Sequence, residues 1–476
     1  MAPEIRLTAE WVAAAVAGTI VRGSPRQVFA GVSIDTRTLG PGELYVAIRG
    51  DRFDGADFAD AAVAAGAGGV MVSRERARTP IVGQADPPPD STPVTMAVDD
   101  TTAALQALAH AVRVESGAKV VAITGSAGKT TTKEVTAEFL GAKYRVIRNR
   151  GNFNNHIGLP LSLIELTARP EVAVVELGMN HAGEISTLVR IAEPDVRVWI
   201  NAGDAHVGFF GSVDAIADAK AEILEGAASD TVLVANADDD RIAARTSSFA
   251  GRVVRFGIER PAEVRAEAIV DRGIDGMSAR VNTPQGAIDL TTPLHGRGNL
   301  ANVLAATAVA VAYEVPLAAI AERAARLQPA PHRGEIVRLA QGVVLIDDSY
   351  NASPTATQRA LDVLRATGGA GRRVAVLGEM LELGDRSIAL HEAVGRVAAA
   401  AGVDLLIAVG GEAAGALVRG AIANGLLPAR TRHLATSVEA AEAAASLIQP
   451  ADLVLVKGSR GIRTDKVVDR LKAEFA

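Results

Sequence analysis

Short runs rich in Val, Ile and Leu recur along the chain, separated by longer stretches in which apolar residues return every three or four positions. The short runs predict buried strands and the longer stretches helices; their alternation predicts parallel sheets joined by crossover helices. Three units follow, at residues 1–115, 116–328 and 329–476. In the first, WVAAAVAGTIV reads as an amphipathic helix with Thr8 as N-cap and Gly18 as stop, rather than a signal peptide. Strands are expected at 31–34, 44–48 and 69–72 around an Ala-rich helix, with a Pro-rich surface excursion at 86–93. In the second, strands are expected at 172–177, 196–201 and 231–235. Short strands with Gly and Pro turns at 253–290 suggest a small antiparallel flap, followed by helices at 299–313 and 317–327. Pro329, Pro331 and Gly334 mark a linker. The third unit alternates strands at 343–346, 374–377, 405–409 and 453–456 with helices after Pro354 and at 387–400, 412–423 and 464–475. That is a Rossmann-like doubly wound pattern, although no G-x-G-x-x-G follows its first strand.

One segment carries chemistry directly. From Val120 to Glu134 a strand breaks into Gly125, Ser126, Ala127, Gly128, Lys129, Thr130 and Thr131. Glycines there let backbone N–H groups approach an anion, and the helix N-terminus adds a favourable dipole. Lys129 would reach the terminal phosphates of ATP and the Thr130 hydroxyl would coordinate Mg²⁺. Ile123 stands where the longer phosphate-loop pattern has its first glycine, so the loop is an abbreviated form.

Composition narrows the setting. A net charge of -6 argues against a nucleic-acid partner, so anionic ligands must be held locally. There are no cysteines, which excludes disulfides, thiolate nucleophiles and cysteine-ligated metals and fits a cytoplasmic location. No stretch approaches a membrane span.

Other candidates lie at predicted strand ends. Glu176 closes its strand before Gly178, where open α/β sheets place ligands and where a carboxylate suits Mg²⁺; a helix-capping role is the alternative. His206 follows the strand at 196–201 beside a Gly-rich loop. Asn152, Asn154 and Asn155 could recognise sugar or peptide, or simply form turns. Lys220, on a helix with an apolar face, reads by spacing alone as a solvated lysine. Asp347 and Asp348 end the first strand of the third unit, before Ser349, Tyr350 and Asn351; they could meet a ribose, bind Mg²⁺ or cap a helix.

Taken in order, these motifs resemble the Mur ligases, and among them the type that adds D-alanyl-D-alanine to a UDP-linked muramoyl tripeptide. The resemblance rests on GVSIDTRTLGPGELYVAIRGDRFDGADF, AITGSAGKTTTKE, NFNNHIGLPLSLI, VVELGMNHAGEI, NAGDAHVGFFGS, AKAEIL, NLANVLAA, VLIDDSYNASP, VLGEMLELGD and VLVKGSRGIRTDK. It implies an α/β protein of three domains: a small N-terminal substrate domain, a central P-loop parallel-sheet ATPase domain and a C-terminal Rossmann-like domain. It implies ATP and Mg²⁺, with Thr130, Glu176, His206 and a carbamylated Lys220 as metal ligands, and Lys129 and Arg333 on phosphate. Asn299 and Asn302 would contact adenine, Asp347 the ribose, and Ser33, Asp35 and Arg37 the UDP end of the substrate, with Asn154, Asn155 and Asn351 also on substrate. Gly298 stands where the family commonly has His, and Ser353 where it usually has Asn. The partners implied are small molecules, and a monomer is expected. Two other readings share parts of the pattern: another amino acid ligase of the superfamily, such as a folylpolyglutamate synthetase, and a nucleotide-gated binding protein without catalysis.

Overall fold

The computed structural model describes residues 4–50, 52–78, 92–369 and 371–476, and most of the Pro-rich stretch expected at 86–93 lies outside them. The chain divides into two compact units, one of residues 1–122, 144–179 and 183–195 and one of residues 123–143, 180–182 and 196–476. The strand Lys119–Thr124 passes from the first into the second.

In the first unit the N-terminal helix is shorter than its apolar run. It covers Ala9–Ala15, capped by Thr8, whose Oγ1 accepts the Trp11 N–H at 3.2 Å. After Gly18 the β-branched residues turn into a strand, Thr19–Arg22, antiparallel to Val94–Val98. A Cβ at Gly18 would lie 3.0 Å from Val16, so only glycine makes this turn without displacing a neighbour. From that edge the five-stranded sheet runs Thr19–Arg22, Val94–Val98, Gly69–Ser73, Leu44–Val46 and Val32–Ser33. The last four are parallel and their central residues buried. The helix Thr101–Ser116 follows, with Asp100 Oδ1 accepting the N–H groups of Thr102 and Ala103, and Gly117 ending it at φ 65°. Farther on, Val172–Glu176 pairs in parallel with Val146–Arg148.

In the second unit, Val196–Trp199, Val232–Asn236 and Arg252–Gly257 run parallel. The antiparallel flap expected at 253–290 is therefore only half right. Arg252–Gly257 continues the parallel sheet, Val264–Asp271 joins it in parallel, and only Met277–Thr283 and Gly286–Thr292 add antiparallel strands at that edge. Arg252–Gly257 buries Val254 and Phe256 around an exposed Arg255, the same alternation that the later three strands show, so burial pattern alone does not reveal which strands run parallel. The helix Arg297–Ala312 is buried nearly all round, consistent with its Ala-rich, charge-poor sequence.

A six-stranded sheet completes this unit in the order Glu335–Arg338, Val344–Asp348, Leu453–Lys457, Arg373–Gly378, Leu405–Val409, Thr431–Leu434. All but the first strand are parallel. The helices Ser387–Ala400 and Glu412–Ala423 fall where the periodicity places them. The short edge strands Glu335–Arg338 and Thr431–Leu434, and the helix Ser437–Leu447, are additional to the sequence pattern. Both edge strands are half polar, which hides them from a search for apolar runs.

Candidate functional site

The phosphate loop is braced from behind. Asn201 Oδ1 accepts the N–H groups of Ser126 and Ala127, both at 2.9 Å, and its Nδ2 donates to Ala127 O at 2.8 Å. Ser126 Oγ accepts the Gly203 N–H at 2.8 Å and donates to Gly203 O at 3.1 Å. Gly128, at φ 88°, turns the chain into the helix Lys129–Leu140, whose first residue donates from Nζ to Gly125 O at 2.8 Å. The glycines are sterically required. A Cβ on Gly125 would lie 2.3 Å from Ile200 Cγ1, and one on Gly128 2.5 Å from Asn302 Oδ1. Gly125→Ala is therefore expected to cost about 1–3 kcal/mol of stability by overpacking and to weaken nucleotide binding. Thermal melts and titration with a fluorescent ATP analogue measure the two effects, and wild-type values in both would refute the steric account.

Three basic groups share the ground beside this loop. Lys220 is only 2 % exposed on the helix Val213–Ala221, so the solvated lysine suggested by its spacing is not found. Burial, and then the charge of Lys129, push its pKa well below the usual lysine range. His206 is pulled down by burial and by Lys129 and Lys220, against the opposing pull of Glu382. Its Nδ1 lies 2.5 Å from Glu382 Oε2. A neutral imidazole and a neutral amine beside a phosphate-binding turn can act as a metal ligand and a CO₂ acceptor.

Asn302 donates from Nδ2 to Asn299 Oδ1 at 3.2 Å, and Asn299 donates to His295 O at 3.0 Å. Because Asn302 also borders Gly128, this pair touches the phosphate loop. At Gly298 a Cβ would lie 3.0 Å from Arg359 Cδ, so the arginine stem occupies ground a side chain there would need. Ser353 caps the helix Pro354–Ala366 through its hydroxyl. Arg333 stacks on Tyr350, its guanidinium carbon 4.0 Å from the ring centre.

The paired aspartates separate by strand alternation. Asp347, expected at the ribose, is fully buried, accepting from Ser349 Oγ at 2.6 Å and meeting His332 Nδ1 at 2.8 Å. Asp348, with a side chain 23 % exposed, is the open carboxylate, paired at 2.7 Å with Lys457 Nζ. Lys457 also donates to Asn351 O at 2.9 Å. Glu382 and Lys457 were visible in the sequence only as parts of quoted motifs, since Glu382 meets His206 across 176 positions.

In the first unit, Ser33 Oγ accepts the Asp35 N–H, and Asp35 holds Arg37 through both carboxylate oxygens. The Arg37 hydrogen bonds draw the Asp35 pKa down to about 2. Arg37 itself stays exposed, a fixed cation open to an anion. Asn154 Nδ2 donates to the Glu176 carboxylate at Oε1, 2.5 Å away, and Asn149 Oδ1 accepts the Glu176 backbone N–H, so one amide holds the carboxylate and another the strand end. Asn155 Oδ1 accepts from Ile157 and Gly158, the turn-forming role weighed for this cluster.

Comparison with known proteins covers most of the chain. The description "Mur ligase family, catalytic domain" matches residues 28–113, "Mur ligase middle domain" residues 123–310, and "Mur ligase, glutamate ligase domain" residues 332–460. The UDP-N-acetylmuramoyl-tripeptide--D-alanyl-D-alanine ligase of Escherichia coli K12 is 37% identical over 444 residues, 93% of each chain. MurF from Acinetobacter baumannii superposes with a TM-score of 0.88 at 32% identity, covering 99% of this chain and 100% of its own. MurF from Thermotoga maritima, solved in complex with ADP, superposes with a TM-score of 0.79 at 27% identity, covering 94% and 97%.

Proposed function

This chain belongs to the Mur ligase family, and from that footing we propose how its residues carry out the reaction. It is an ATP-dependent ligase that joins D-alanyl-D-alanine to UDP-N-acetylmuramoyl-tripeptide in peptidoglycan precursor synthesis. The observation that best supports this reading is the braced phosphate loop with Lys129, Lys220 and His206 gathered beside it.

In the reaction the tripeptide's terminal carboxylate attacks the γ-phosphorus of ATP; an O–P bond forms, the bond to the β-phosphate oxygen breaks, and ADP leaves. The amine of D-alanyl-D-alanine then attacks the acyl phosphate carbon, phosphate departs and the amine loses a proton. Bringing two anions together is the electrostatic obstacle. Lys129 answers it at the loop, and we assign Arg333 the same task from the linker side. Asn299 and Asn302 are assigned to adenine, and Gly125, Ser126, Gly128, Thr130 and Thr131 to the phosphates. For the ribose Asp347 is the proposed contact, with the neighbouring open carboxylate of Asp348 as the alternative. Ser33, Asp35 and Arg37 are assigned to the UDP end of the substrate, and Asn154 and Asn351 to substrate recognition.

The donor chemistry fits Mg²⁺ once Lys220 is carbamylated. A free amine offers a hard cation no oxygen, whereas the carbamate offers two, and the depressed pKa favours the neutral amine that takes up CO₂. Thr130, His206 and Lys220 would then hold the ion, and bound there it would neutralise charge on the transferring phosphate. Glu176 is kept as a further ligand candidate on its strand-end position alone. We further propose that residues 1–115, 116–328 and 329–476 serve UDP-substrate binding, ATP binding and ligation, and that the protein works in the cytoplasm as a monomer. No helix among the described residues is long and apolar enough to cross a membrane.

Phosphate release tests the reading. It is expected only when ATP, UDP-muramoyl tripeptide and D-alanyl-D-alanine are all present, and to fall to background when a single amino acid replaces the dipeptide. Equal turnover with ATP alone would remove the ligase assignment, and turnover with another acceptor amine would move the chain to a different member of the family.

A further inference from the structure

The residue that meets His206 lies in a different sheet's loop, and the contact is built on both sides. Glu382 Oε2 lies 2.5 Å from His206 Nδ1, and the Glu382 carbonyl accepts the Gly208 N–H at 2.8 Å. The two segments also fit closely. A Cβ on Gly208 would lie 2.6 Å from Gly384 N and 2.7 Å from Glu382 O, so any other residue at 208 would push the loop away. His206 and Glu382 both hold left-handed backbone at φ 66°, a conformation that non-glycine residues keep only where their surroundings require it.

The loop bearing Glu382 is itself anchored. Met380 N donates to Nε2 of the fully buried His391 at 2.9 Å, and His391 Nδ1 lies 2.7 Å from Ser387 O. Leu381 N donates to Ser459 Oγ at 2.9 Å. Glu382 is thus presented to His206 by a loop tied down at the two preceding residues.

An imidazole whose Nδ1–H donates to a carboxylate has its Nε2 lone pair available. This is the tautomer that ligation of a divalent cation through Nε2 requires. The charged groups around the ring are Glu382, Lys129 and Lys220.

We propose that Glu382 is a positioning residue: it fixes His206 in the Nε2-ligating tautomer, so the cation site is complete only when the loop from Glu379 to Arg386 is seated. The inference rests on the reading of His206 as a cation ligand. It goes further by making metal affinity depend on a carboxylate that does not touch the metal.

The test is Mn²⁺ titration by electron paramagnetic resonance of the full-length protein with a non-hydrolysable ATP analogue. Glu382→Ala is expected to weaken Mn²⁺ binding about 10- to 100-fold, the usual effect of removing an outer-shell partner. Affinity for the analogue without metal should not change. In ¹⁵N spectra of histidine-labelled protein, with His206→Gln used for assignment, Glu382→Ala should lose the Nδ1–H tautomer. Glu382→Gln should keep it, because an amide oxygen still accepts. Retained tautomer and Mn²⁺ affinity in Glu382→Ala, with both affinity and activity lost in His206→Ala, would overturn the proposal and leave the ligase reading standing. Full Mn²⁺ affinity in His206→Ala would overturn the ligand assignment and the proposal with it.

Discussion

Lys129→Ala is expected to lose at least about a thousandfold in turnover, on the order of 4 kcal/mol of transition-state stabilisation, while the protein still folds and still binds its UDP substrate. The amine sits at the first position of the helix Lys129–Leu140, held on Gly125 O, and its charge already reaches Lys220 and His206. When two anions react, a cation fixed beside the transferring phosphate acts mainly on the transition state, so the loss should appear in kcat more than in affinity for the UDP substrate. Lys129→Arg should restore little, because the planar fork cannot occupy the compact position of an ammonium. Phosphate-release kinetics, a thermal melt and calorimetric titration of the UDP substrate separate the effects. Lost UDP-substrate affinity with unchanged kcat would place Lys129 elsewhere in the reaction.

The second large effect concerns Lys220. Lys220→Ala and Lys220→Met are each expected to lose more than about a hundredfold in activity, and Lys220→Arg should not recover it, since arginine keeps a charge but forms no carbamate. A small carboxylate such as acetate should partly restore the alanine variant by filling the vacated anionic position. Stability should move the other way. Burial beside Lys129 disfavours this amine, so Lys220→Met should be the more stable protein in CO₂-free buffer.

The pH dependence has a definite sign. With the folded pKa depressed below the usual 10.5, the unfolded chain binds a proton that the native state lacks across the interval between the two values. Unfolding free energy then rises with pH there, by up to about 1.4 kcal/mol per unit, and this gain is lost as pH falls toward the folded value. Lys220→Met should lack that slope in denaturant titrations at several pH values. An equal slope in both proteins, together with a fully active Lys220→Arg enzyme, would show that the lysine is neither desolvated nor modified.

How far the sequence reached can be judged residue by residue. The helix Ser387–Ala400 coincides with its apolar pattern because it is long and buries one stripe, and the strand Leu405–Val409 because all five of its residues are buried. The phosphate loop was readable because glycine, lysine and hydroxyl must be contiguous there. Lys220 was misread by spacing, because burial depends on what the helix packs against and not on its own residues. Asp347 and Asp348 were indistinguishable as neighbours, and only alternation in a strand sends one inward and the other out. Glu382 was beyond reach for a different reason: its meaning comes from a histidine in another sheet's loop, and no local pattern encodes that pairing.

The contact between Gly128 and Asn302 also has a consequence in time. The loop and the helix that covers it are made at separate moments, because Asn302 lies far downstream of Gly128 in the chain. At roughly 5–20 residues per second of synthesis, the interval is on the order of ten to thirty seconds. During that interval the emerging Lys129–Leu140 segment has its glycine turn but lacks the asparagine that borders it. The turn at Gly128 therefore gains its bordering asparagine only once the ribosome has passed the helix Arg297–Ala312.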